Sequence, residues 1–261
     1  MNRITAAFRR AFVVLALPVV LVGGWWVLTA GSTSFYWPPL HAIADIFGPT
    51  WLHGRVSSDI VPSIMRLLAG YLAALVTGVA TGTLIGSQRT VRAVLEPVLE
   101  FFRAIPPPAV IPVLMLIAGI GDGMKVLVIM FGCVWPILLN TAAGVQAIDP
   151  MLRDTARSYR LRPWSRIVHL VLPGAGPQIA TGARQALSVG LILMVISEMF
   201  AASNGVGFTI IEFERQFEIP EMWTGIILLG LIGVLLAMVF HVVESRVLSW
   251  YHGARAAEQK R

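Results

Sequence analysis

Lysine is nearly absent from this chain. Lys125 and Lys260 are the only two, and glycine precedes neither. A phosphate-cradling loop of the G-x-x-x-x-G-K-[ST] type needs that pair, because its amides wrap the phosphates while the ammonium reaches the terminal one. Such an ATPase motif is therefore excluded. Cysteine occurs once, as Cys133 inside an apolar segment, which rules out an intrachain disulfide or a Cys-rich metal centre and reads as packing. The histidines (His41, His53, His169, His241 and His252) form no H-E-x-x-H, and no G-x-S-x-G occurs, so those zinc and serine hydrolase chemistries are out. His241 and Glu244 lie one turn apart but lack a further ligand, so polar packing near a helix end is the reading and no metal is expected. Nothing here supports an enzyme, and no cofactor is expected.

Charge is also scarce. With 13% charged and 56% hydrophobic residues and a mean hydropathy of +0.76, the chain cannot supply the polar surface of a soluble domain. The bilayer is its solvent, and membrane lipid its first partner. The formal net charge of +6 would raise nucleic acid as a ligand in a soluble protein. Here basic residues gathered at cytosolic helix ends account for it, and no nucleic acid is expected.

Windows of about 20 apolar residues divide the chain into about six spans: Phe12–Ala30, Ile60–Gly86, Val94–Ala118, Lys125–Val145, Gly176–Ala201 and Trp223–Trp250. The expected fold is all-α and polytopic, one transmembrane domain over 1–261 with a permease core over 57–250. The first run is too long for a signal-peptide core and is read as a retained helix. The third is irregular. Val91 to Arg103 reads as an amphipathic cytosolic stretch, and Pro106-Pro107-Pro108 breaks the segment before the apolar run resumes. Such a break is tolerated at membrane depth only where protein or a water-filled path satisfies the freed carbonyls.

Arginine distribution sets the orientation. One set of loops holds Arg3, Arg9, Arg10, Arg89, Arg92, Arg153, Arg157, Arg160, Arg162, Arg166, Arg255, Lys260 and Arg261. The opposite set holds little beyond Arg55, Lys125 and Arg215, and its last loop carries Glu212, Glu214, Glu218 and Glu221. Both termini and the 149–173 loop are thereby placed in the cytoplasm. The loop from Gly31 to Asp59 faces outward, where Trp37 and Trp51 suit the membrane interface.

The segment Asp149 to Pro173 carries its own start and stop signals. Asp149 before Pro150 reads as an N-cap and first helical position, Pro163 restarts a second helix, and Pro173 with Gly174 closes it. A loop that holds a shape suggests a docking partner. Its pattern is Asp154-Thr155-Ala156, three residues, Arg160, nine residues, then Leu170-Val171-Leu172-Pro173. It resembles the EAA motif of the permease subunits of bacterial ABC importers. Arg66-Leu-Leu-Ala-Gly70, Arg103-Ala-Ile-Pro106, Ala109-Val-Ile-Pro112, Ala156-Arg-Ser-Tyr159, Gly182-Ala-Arg184 and Ser197-Glu198 follow in the order of the nitrate/sulfonate/taurine branch. Asn204-Gly-Val-Gly207 completes that series.

The resemblance implies several partners: ATP-binding cassette ATPase subunits docked on the 149–173 loop, an extracytoplasmic substrate-binding protein, and a second copy of this chain or a similar one. It implies residence in the cytoplasmic membrane and import of a small solute such as an aliphatic sulfonate, taurine or a nitrate-like anion, with relatives that take heterocyclic vitamin precursors. Asp154, Thr155, Ala156, Arg160, Leu170, Leu172 and Pro173 would form the ATPase-coupling element. Asp154 stands where the family has Glu. Arg160 stands where it has Gly, so either the turn is built differently or Arg160 contacts the partner. A left-handed Arg costs roughly 1 kcal/mol. A self-sufficient secondary transporter is the rival, weakened by the absence of an evident inverted repeat.

Further candidates lie within the spans. Gly78, Gly82 and Gly86 share one helix face, read as a subunit interface, a pore-lining helix or internal packing, which spacing does not separate. Glu198 is the one acid well inside an apolar run. It either faces the translocation path or an outer gate, or pairs with another helix. Arg184, fourteen residues earlier, lies roughly 20 Å away along a helix and cannot pair with it. It is placed near the cytosolic mouth, with Asn140 and Gln146 as weaker path residues.

Overall fold

A computed structural model describes the backbone of residues 3–251 and the side chains of 16–200 and 202–251. The terminal charges used for orientation (Arg3, Arg9, Arg10, Arg255, Lys260 and Arg261) lie outside the described side chains. The described residues are almost entirely helical, with no strand among them. In chain order the helices are α1 (Arg3–Thr29), α2 (Leu40–Leu52), α3 (Val61–Ser87), α4 (Arg89–Ala104), α5 (Ile111–Ala118), α6 (Asp122–Gln146), α7 (Pro150–Ser158), α8 (Pro163–Arg166), α9 (Leu172–Ala201), α10 (Val206–Arg215) and α11 (Ile219–Val247).

Four continuous helical stretches are long and apolar enough to cross a bilayer: Val56–Ser87, Asp122–Gln146, Pro163–Phe200 and Ile219–Val247. They match four of the spans expected from composition. The third expected span is no straight helix. α4 and the Pro107–Ala118 segment meet at 88°, making at most one broken span. α4 is amphipathic, its charged residues Arg92, Glu96, Glu100 and Arg103 recurring at three- and four-residue spacing along one stripe. The first expected span falls on α1, whose part with described side chains, Ala16–Thr29, is a shorter apolar helix.

Helix α6 is the centre of the bundle, packed between α3 and α9. The main core, including Leu67, Ala74, Met124, Ile129, Cys133, Ile137, Ala186 and Met194, fills the two seams. The Gly78–Gly82–Gly86 face explains how closely α3 and α6 approach. A Cβ on Gly82 would lie 2.6 Å from the Leu138 carbonyl oxygen, and one on Gly86 2.8 Å from that of Ala142. The ladder is internal packing within one chain; absent side chains let two backbones meet. Cys133 is buried, with Sγ 3.2 Å from the Ala186 carbonyl.

Two spans carry a π turn in their first part, directly ahead of the residue before a proline. Val61 N–H donates to Val56 O before Pro62, and Leu172 N–H donates to Ile167 O before Pro173. A proline has no N–H and its ring strikes the carbonyl four residues back. A wider turn over Ser58 and His169 relieves both problems without ending the helix. Pro173-Gly174 therefore does not close the 149–173 segment, contrary to the reading from residue type. The chain runs helically from Pro163 to Phe200.

Within the 31–59 connection the two tryptophans part ways, and Trp51 departs from the interfacial reading. Trp37 is half-exposed and packs beside Trp223 with ring centroids 5.5 Å apart. Trp51 is fully buried, and its Nε1–H donates to Thr224 Oγ1 at 2.8 Å. An indole is comfortable in a core when its N–H finds a partner, and α11 supplies one. α2 is thereby fastened to α11.

Candidate functional site

The 149–173 segment starts as its sequence dictates. Asp149 Oδ1 accepts from Met151 N–H at 2.8 Å, capping α7, with Pro150 in the first helical position. Its end is more informative. Arg160 adopts φ +50°. Leu161 N–H donates to Ala156 O at 3.1 Å and Arg160 N–H to Arg157 O at 2.9 Å, the paired bonds of a Schellman ending. The turn is thus the left-handed one that glycine would favour, adopted here by arginine. Of the two possibilities for Arg160, a differently built turn is excluded.

α7 is tied to the bundle. Arg153 Nη2 donates to the carbonyls of Val145 and Gln146, the latter at 3.2 Å, so a cation closes the C-terminus of α6. Arg92 of α4 donates to the Gln146 side chain. Gln146 is thus a link between helices. Val145, Ile148, Val171 and Ala175 form a small core between α6 and the start of α9, with Leu170 packed against it.

The expected coupling residues separate into two groups. Asp154, Thr155 and Arg160 are exposed; Asp154 pairs with Arg157 at 3.2 Å and Thr155 Oγ1 donates back to Met151 O. Ala156 is buried, and Leu170, Leu172 and Pro173 are half-buried, so these support the loop from within. Missed by motif reading are the large exposed side chains of the same segment, Met151 at 74%, Tyr159 at 78% and Trp164 at 74%. Their signal in the sequence was large side chains set among the segment's arginines, Met151 and Leu152, then Tyr159, Leu161 and Trp164.

At the other end of α6 lies a buried polar cluster built by four elements. Glu198 of α9 is fully buried. Its carboxylate accepts from Arg66 Nη1 at 2.7 Å and from Gly207 N–H at 3.0 Å, with Ser63 Oγ at 2.7 and 2.9 Å from its two oxygens. The Arg66 guanidinium also donates to Asp122, at 2.7 Å, and to the Asn204 carbonyl and side chain. Asp59 Oδ1 accepts from Gly205 N–H, and Ser63 Oγ from Val206 N–H, each at 2.9 Å. The first amides of α10 have no partner in their own helix; Asp59, Ser63 and Glu198 cap them from other helices. Gly205 has φ +118°, and a Cβ there would sit 2.6 Å from the Glu198 carboxyl carbon. The Asn204-Gly-Val-Gly207 sequence is explained by that close wrapping.

The candidate path residues do not meet at one place. Of the two readings open for Glu198, the geometry is that of an ion pair with another helix, closed off from any surface. Arg184 pairs instead with Glu244 of α11, with His241 Nδ1 at 4.0 Å from the same carboxylate. Asn140 Nδ2 donates to Pro136 O at 2.8 Å and to Gln185 Oε1 at 3.2 Å, on the α6–α9 seam. Arg66, central to the cluster, was seen in the sequence only as part of a motif. Nothing in the local pattern says that it reaches an acid 132 residues away.

Comparisons with known proteins fit this architecture. Residues 70–249 match the model of the family described as binding-protein-dependent transport system inner membrane component. The taurine transport system permease protein of Escherichia coli is 29% identical over 89% of this chain and 87% of its own length. The nitrate import permease protein of a Synechocystis strain is 29% identical over 90% of this chain and 88% of its own. Among solved structures, a chain of the inward-facing MetNI methionine ABC transporter superposes with a TM-score of 0.59. At 17% identity it covers 73% of this chain and 93% of that one, a likeness of fold. Helical spans, a structured loop between two of them and the match over most of the sequence agree: the chain belongs to the binding-protein-dependent transport system inner membrane component family, the permease subunits of ABC importers.

Proposed function

We infer that this permease subunit imports a small sulfonate or nitrate-like oxyanion, driven by ATPases that dock on the 149–173 segment. The observation that carries the coupling half is the tie between α7 and α6. Arg153 binds the last carbonyls of α6, so a push on α7 is delivered to the helix at the centre of the bundle. Met151, Tyr159 and Trp164 present apolar surface outward from the same segment, as a docking face requires. ATP hydrolysis belongs to the partner subunits. The substrate half rests on relatives named for taurine and nitrate transport. Two copies, or this chain and a similar one, enclose the path, to which the reading assigns Arg184 and Asn140. Both termini and the docking segment face the cytoplasm.

The test is co-purification of the chain with its ATPase from membranes, alongside uptake driven by ATP. Tyr159→Asp and Trp164→Asp should abolish both without altering the helical content of the chain. Undiminished ATPase binding and uptake in these variants would refute docking here. Uptake by the chain alone in liposomes under an ion gradient would instead establish a self-sufficient transporter.

A further inference from the structure

Lys125 is 3% exposed, although it lies one turn into a membrane-spanning helix. A buried ammonium in such a segment is costly unless paired. Its pairing is thin. Nζ has one acceptor among the described residues, Asp122 Oδ1 at 3.4 Å, and a lysine has three donors to satisfy. Lys125 lines a cavity of about 490 Å3 at the end of the bundle opposite α7, shared with Arg66, Asp122 and Asn204 and walled by Met115 and Phe200.

Charge selects what such a cavity accepts. Arg66 is saturated, its nitrogens spent on Asp122, Glu198 and Asn204. Arg66 and Lys125 face three carboxylates, Asp122, Glu198 and the α10-capping Asp59, so the cluster already holds one negative charge in excess. A simple anion entering it would bring an uncompensated negative charge. The groups that line the cavity are of both signs: the buried Lys125, with unused donors, and the Asp122 side chain, which is 68% exposed. A ligand carrying an acid and an ammonium a few atoms apart would satisfy both and leave the balance unchanged.

We propose that this cavity is a binding subsite for a small zwitterion of the amino-sulfonate class, its acid on Lys125 and its ammonium on Asp122. The proposal deepens the importer reading and rests on it. It selects, among the small acids that the relatives are named for, the one class whose charges match the site.

The scarcity of lysine provides the experiment. With only Lys125 and Lys260 in the chain, protein carrying 13C-labelled lysine in nanodiscs gives two side-chain NMR signals, assigned by Lys125→Arg. Taurine should shift the Lys125 signal saturably while leaving Lys260 unmoved. Ethanesulfonate and nitrate, each at equal ionic strength, should bind at least about tenfold more weakly. Asp122→Asn, which removes one negative charge, should narrow or reverse that preference. A Lys125 signal unmoved by taurine, or moved equally by ethanesulfonate or sodium gluconate, overturns the subsite. Uptake by the assembled importer is measured separately with the same solutes. Oxyanion uptake in the face of an unmoved Lys125 leaves the importer reading standing and removes only the subsite.

Discussion

Arg66 Nη1 donates to Glu198 Oε1 at 2.7 Å, between side chains 4% and 0% exposed on α3 and α9. The same guanidinium holds Asp122 at the start of α6. One side chain thus fastens the three central helices at one end. Removing one member of such a buried pair strands the other, which is far costlier than the pair is stabilising. Glu198→Ala should therefore destabilise the chain by about 3–5 kcal/mol, read as a lowered denaturation midpoint in detergent. Glu198→Gln, which keeps hydrogen-bonding capacity, should fall between it and the parent. A Glu198→Ala protein that denatures like the parent would show that the pair is incidental.

Close approach of α3 to α6 depends on Gly82. An added methyl would meet the Leu138 carbonyl at 2.6 Å and Thr141 Cβ at 2.7 Å. Gly82→Ala should cost about 1–3 kcal/mol through overpacking. Gly230, on α11, has nothing within 4 Å of the same position. There alanine should be neutral or stabilising by up to ~1 kcal/mol from helix propensity. Equal denaturation midpoints for the two variants would contradict the packing assigned to the ladder.

At the end of α7, Arg160 holds a left-handed conformation. Arg160→Gly should be neutral or stabilising by up to ~1 kcal/mol, the gain in conformational ease being offset in part by the entropy of glycine. Arg160→Val, β-branched, should destabilise α7. Proteolysis of the 149–173 loop reports this directly: slower cleavage is expected for Gly than for Val, and the reverse order would refute the assignment. If the arginine head also contacts the ATPase, the Gly variant loses binding while its loop stays protected.

The Trp51–Thr224 bond at 2.8 Å fixes α2 against α11. Trp51→Phe deletes the donor and leaves volume unfilled in a core with Val206, Ile210 and Phe213. A loss of about 1–3 kcal/mol is expected. Were α2 an interfacial helix resting on lipid, the substitution would be silent in a detergent melt.

Much of this architecture was legible along the chain because the signals are local. Four long spans follow from runs of apolar residues, since a helix is the only element that satisfies its own backbone in lipid. The cap at Asp149 needs only its neighbour two residues on. The proline triplet marks the broken span. Pro173 misled because residue type shows a proline but not the π turn over Ile167–Val171 that lets the helix continue through it. Trp51 misled for a related reason: an indole suits an interface and a core alike, and only Thr224, 173 positions away, decides between them.

Composition and local pattern alone determined that the chain is helical, belongs in a bilayer and carries a segment with its own helix-start signals between two spans. The tertiary structure decided which charges meet. Glu198 pairs with Arg66 and not with a base on its own helix, Arg184 pairs with Glu244, and Lys125 is left with one distant acceptor beside an open cavity. Apolar periodicity is a property of a segment, readable in sequence. An ion pair between helices depends on their mutual rotation and depth, which are settled only when the small residues of α3 let it close against α6.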